Sequence, residues 1–126
     1  MNIAIPKSIA EKISSRCQRC YYEQQWYGEN FLFEYIGDTS VKGKEILEIG
    51  CAEAGLMRFY NNKGANCSGL ELSDIRFKNA NLLNQDKTIN LFQADICDPK
   101  TFKDNINYKY DLIIMRDVIE HIPKQE

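Results

Sequence analysis

The chain has 126 residues, 44% of them hydrophobic, which is enough for one domain with a core of its own. With 16 Lys and Arg against 18 Asp and Glu it lacks the basic excess of a nucleic-acid surface, so nucleic acid is not a favoured partner. No eighteen-residue apolar run occurs, and the N-terminal "MNIAIPKSIAEKI" interrupts any secretory core with a proline and charges. A cytoplasmic chain that neither spans nor anchors to a membrane is expected.

Residues 7–36 form a polar to amphipathic segment without lasting alternation and predict one or two helices. Their aromatics, Tyr21, Tyr22, Trp26, Tyr27, Phe31, Phe33 and Tyr35, predict a core-facing stripe; the competing reading is that Tyr22, Trp26 or Tyr27 lids a ligand. Cys17 and Cys20 form a "CQRC" pair, but Cys51, Cys67 and Cys97 do not offer the two further ligands a zinc site needs at matching spacing. Five cysteines with no framework spacing read as reduced thiols. Residues 1–40 are thus an N-terminal helical segment.

From "GDTSVKGK" onward the texture changes to short apolar runs alternating with amphipathic ones, the pattern of βαβ units around a parallel sheet, and residues 41–126 form one α/β domain. Strands are expected at Glu45 to Ile49, Asn66 to Leu70, Ile89 to Gln93 and Tyr110 to Met115. Helices are expected at about 55–63, 74–84 and 99–105, with Ser73 capping the second. A doubly wound sheet normally continues past a fourth strand, so the sheet reads as truncated. Its open edge on "YDLIIM" is expected either to pair two copies of the chain or to leave it poorly soluble.

After the first strand, "GCAEAG" places Gly50 at a tight turn and Gly55 at a helix start, with the small residues Ala52 and Ala54 between them. Such a turn lets a ligand approach the backbone, and the helix start offers unpaired N–H groups to an anion. A dinucleotide pyrophosphate and an adenosyl-sulfonium both suit it. Glu48, two residues before the first glycine, would repel pyrophosphate but welcome an ammonium group, and Ala52 breaks the G-x-G-x-x-G fingerprint. Glu71, some twenty residues on, is placed to accept both hydroxyls of a ribose, and Asp95 to accept an adenine amine. Acids at three successive strand ends converge on one crevice in an open α/β sheet.

"ILEIGCAEAG", "GLELS", "FQADICD" and "YDLIIMRDVIEHI" resemble, in order, the successive motifs of the class I S-adenosylmethionine-dependent methyltransferases. The resemblance covers residues 44–123 and implies a Rossmann-like doubly wound parallel sheet in the order 3-2-1-4, with S-adenosylmethionine as cofactor and a small-molecule acceptor. It implies that Glu48 orders the turn at the methionine end, with Gly50, Cys51, Ala52 and Gly55 forming the turn itself. Glu71 would hold the ribose, Asp95 would meet adenine with Leu72 and Ile96 flanking the ring, and Met115, Arg116 and Asp117 would line the methionine and acceptor side. Ala52 and Ala54 depart from the glycines usual in such turns.

In "DVIEHIP", Glu120 and His121 follow Asp117 by one helical turn. The segment resembles small-molecule O-methyltransferases in which these letters hold a divalent metal in some members and are structural in others. His121 is the candidate general base, with a structural role and a metal-ligand role as alternatives. A second reading of the whole chain is a non-catalytic module of the same fold that docks on a partner chain.

Overall fold

The computed structural model describes residues 4–36, 40–106, 109–116, 118, 120 and 122. Four parallel strands, β1 (Glu45–Ile49), β2 (Asn66–Glu71), β3 (Asn90–Gln93) and β4 (Leu112–Met115), form one sheet in the order β3-β2-β1-β4. This is the expected doubly wound order. Central β1 is buried from Ile46 onward, as a strand covered on both faces must be. The register aligns Ile49 with Leu70 and with Met115, and Leu70 with Phe92, so all four carboxyl ends reach one rim.

The amino-terminal segment folds as α1 (Lys7–Ala10) and α2 (Ser15–Tyr27), and α2 runs on through a π-helical turn, Gly28–Leu32, into α3 (Phe33–Ile36). Ser14 caps α2 by accepting from the Cys17 N–H at 3.0 Å. The aromatic stripe is only partly core-facing. Tyr21 is buried and Phe33 packs against the core, whereas Trp26 and Phe31 are exposed.

Helix α4 (Gly55–Asn62) is buried along its first six residues because α2 covers one side and the sheet the other. Its one charge on that stretch, Arg58, is tolerated by pairing. The guanidinium donates to Asp86 at 2.9 and 3.0 Å and to Asn84 at 2.9 Å, and these bonds hold the Asp86 carboxyl down to about 2. Helix α5 (Asp74–Leu83) starts, as expected, on a Ser73 cap whose hydroxyl accepts from the Arg76 N–H.

One expected element is replaced. Instead of a helix over 99–105 there is a single 3-10 turn, Pro99–Thr101, followed by further turns. Asp98 caps it by accepting from the Lys100 N–H, and Thr101 folds back onto Asp95 through bonds in both directions, to the Asp95 N–H at 2.9 Å and its carbonyl at 3.1 Å. Local side-chain bonding of this kind competes with helix propagation. Strand β4 begins two residues later than expected because the Asp111 carboxylate accepts the Glu45 N–H at 2.8 Å, a bond a ladder partner would otherwise make.

Candidate functional site

The sheet's carboxyl rim opens into a crevice of about 660 Å³. Its floor is the turn after β1. Gly50, Ala52 and Ala54 all adopt the left-handed conformation, with φ of 74°, 50° and 65°. Only the first is a glycine, so the two alanines carry strain of about 1–2 kcal/mol each, offset by bonds to the turn. The Ala52 N–H donates to Glu71 Oε1 at 2.8 Å, while Glu71 Oε2 accepts from Ser73 N–H at 2.8 Å. Glu71 therefore fixes the glycine turn and the start of α5 with one carboxylate, each oxygen keeping a further lone pair, and it lines the crevice.

Glu48 is 3% exposed, and its Oε1 has no hydrogen-bond partner. Burial pushes its carboxyl up to about 8, against an opposing pull from the Arg116 guanidinium and a further push from Glu71. At neutral pH it is mostly protonated, so the charge that stands out in the sequence is suppressed in the folded chain. Asp95 closes the third side. Its Oδ1 accepts from the Cys97 N–H at 2.9 Å in a local turn, and the residue lines the crevice.

Most of the expected site residues meet on this wall: Glu48, Gly50, Cys51 and Ala52 from the first turn, Glu71 and Leu72 from the second, Asp95 and Ile96 from the third, and Arg116 after β4. Gly55 and Met115 do not line it. The expectation that the start of α4 offers free N–H groups is corrected at Gly55, whose N–H donates to Gln24 Oε1 at 2.9 Å; α2 packs so closely there that a Cβ would collide with the Tyr21 carbonyl. Met115 is exposed and lies outside this lining. Over Gly50 lies Val118, which a Cβ would strike. His121 and Asp117 lie outside the described residues. Among the described residues, no group of three or more His, Cys, Asp or Glu side chains is placed to hold a metal ion, and all five cysteines are free thiols.

Gln24, Glu53 and Arg76 are site residues that strand-end reasoning did not reach. Glu53, in the middle of the turn, is buried and accepts from Gln24 Nε2 at 2.9 Å, with Arg76 Nε 3.7 Å from its other oxygen. Helices α2 and α5 are thereby tied across the turn, and both Gln24 and Arg76 line the crevice. The one sequence signal was an acid among small residues in "GCAEAG".

The model of the methyltransferase domain matches residues 27–126, which include every strand of the sheet and the whole turn. The chain belongs to the methyltransferase domain family. The expectation of a class I S-adenosylmethionine-dependent methyltransferase is thus borne out, and solved structures share the fold of this methyltransferase domain. The magnesium protoporphyrin IX methyltransferase of Synechocystis, crystallised with S-adenosylmethionine, superposes with a TM-score of 0.62 at 17% identity over 97% of this chain and 54% of that one. The same enzyme with S-adenosylhomocysteine gives 0.62 and 17% over 98% and 52%. An S-adenosylmethionine-dependent methyltransferase from Clostridium acetobutylicum gives 0.55 at 22% identity over 75% and 36%. This methyltransferase domain thus spans about half the length, or less, of the structures it resembles. None of the curated proteins matches it. No helix among the described residues is long and apolar enough to cross a membrane.

Proposed function

We propose that the chain binds S-adenosylmethionine in this crevice and transfers its methyl group to a small-molecule acceptor in the cytoplasm. The observation that carries the reading is the convergence of Glu48, Glu71 and Asp95 on one crevice floored by a left-handed small-residue turn. The cysteines, all free thiols, support a reducing compartment.

The residues present fit such a cofactor. Glu48 holds a buried oxygen with no partner, which an ammonium group would satisfy, and Glu71 keeps acceptor capacity beside a backbone that small residues leave open. Asp95 and the apolar Leu72 and Ile96 bracket the far end, suited to a flat heterocycle and its amine. When bound, S-adenosylmethionine supplies an electrophilic methyl on a sulfonium. The chain's own part is to bind and orient. Glu71 would hold the ribose diol while keeping the turn closed, Glu48 would ionise against the incoming cation, and the crevice would exclude water from the methyl's path. For a hydroxyl acceptor a base must take the proton, and His121 is the candidate.

Glu71→Ala is expected to weaken S-adenosylhomocysteine by about 1.5–3 kcal/mol in calorimetry, the range for hydrogen bonds to a charged group. Unchanged affinity in a variant with native circular dichroism would remove Glu71 from the site.

A further inference from the structure

An aromatic strip leads away from the crevice along α2, and cofactor binding leaves it unused. The guanidinium of Arg116, itself on the crevice wall, lies 4.1 Å from the centre of the Tyr27 ring. Phe31 stacks on Tyr27 with centroids 5.6 Å apart and planes 26° apart, and Trp26 meets Phe31 edge-on at 5.3 Å. Trp26 and Phe31 are 52% and 50% exposed. Large aromatics exposed singly need no explanation, but a contiguous exposed set beside a cleft marks a contact surface.

The backbone beneath the strip is irregular. Phe31 sits in the π-helical turn Gly28–Leu32, and such turns are rare and concentrate at functional sites because they re-aim side chains out of the α-helical pattern. Packing holds the turn in place from its inner side. Gly28 lies so near α4 that a Cβ would come within 2.8 Å of the Phe59 ring and 2.9 Å of Leu56, while the aromatic side remains open.

Arg116 adds a charge with no ion pair among the described residues. Glu48 is buried and acts on it only electrostatically, and no ion pair joins the two. The Tyr27 ring holds the guanidinium by a cation–π contact, and a guanidinium's planar fork of N–H donors suits a carboxylate in two parallel bonds.

We propose that Trp26, Tyr27, Phe31 and Arg116 form the acceptor shelf: a planar, apolar acceptor bearing a carboxylate lies along the aromatic strip with that carboxylate on Arg116. The inference rests on the methyl-transfer reading and adds the acceptor's chemical class to it.

Trp26 is the chain's one tryptophan, so its emission reports the shelf directly. The probes are cinnamate, cinnamyl alcohol (the same plane without the charge) and cyclohexanepropionate (the same charge without the plane). Cinnamate is expected to change Trp26 emission saturably in the millimolar range appropriate to so small a ligand. The other two probes, and cinnamate on Arg116→Gln or Phe31→Ala, should bind about tenfold more weakly, with Arg116→Lys intermediate. Phe31→Ala should keep its calorimetric affinity for S-adenosylhomocysteine, which also shows that it is folded. No saturable response to cinnamate, equal binding of cinnamyl alcohol, or unchanged cinnamate binding by Arg116→Gln would overturn the shelf. Cinnamate binding without any S-adenosylhomocysteine binding would leave the shelf standing and overturn the cofactor reading instead.

Discussion

Glu48 is the residue whose chemistry changes most between sequence and fold. Unfolded, its carboxyl ionises near 4.5, and folded it ionises near 8 because burial disfavours the charge. As pH rises through that window the unfolded chain gives up its proton while the folded chain retains it, so this group makes stability fall with pH. Its contribution is intact below about 4.5 and lost by about 8. Glu48→Gln, which imitates the protonated form, is expected to gain stability relative to the parent between about pH 5 and about pH 8.5 in urea unfolding. A constant difference across that range would mean that the folded carboxyl is already ionised. The turn beside it gives two further tests. Gly50→Val should abolish S-adenosylhomocysteine binding, since valine cannot hold a φ of 74° and would strike Val118, while circular dichroism stays near native. Normal affinity would separate the ligand from this turn. Ala54→Gly should stabilise by about 0.5–1 kcal/mol, because relief of left-handed strain exceeds the added chain entropy. A loss of that size would show that position 54 is not left-handed in solution.

The parallel sheet was legible because its strands are apolar runs whose carboxyl ends must share one rim; the strand-end acids therefore came together without knowledge of any contact. The helix expected over 99–105 was not legible as a turn, since the Thr101 bonds that help stop it depend on Asp95 being near. Gln24, Glu53 and Arg76 were missed for the same reason: they belong to α2, the turn and α5, and only the fold brings them within bonding distance. Periodicity correctly put Tyr21 inward, but it could not foresee the π-helical turn that leaves Phe31 outside. Strand β4 is an edge of the sheet among the described residues, with Ile113 and Met115 exposed. Because an apolar edge templates pairing, we expect the 126-residue chain to self-associate through β4 and Ile113→Lys to shift it toward monomer in light scattering. A parent chain that stays monomeric at high concentration would contradict this.

Taken as a whole molecule, a four-stranded sheet carries the proposed cofactor crevice on its rim, and α2 with the π-helical turn after it supplies both Gln24 to that crevice and the aromatic strip. In the proposed reading the rim acids and the turn hold the cofactor, and the strip and Arg116 receive the acceptor. Cofactor binding is the claim on which everything else depends, and it can be measured on the chain alone. Calorimetric titration with S-adenosylhomocysteine should give a single site of one-to-one stoichiometry, tightening as pH rises through about 8, where Glu48 ionises without help from the ligand. Absence of binding, or binding of NAD in its place, would contradict the account.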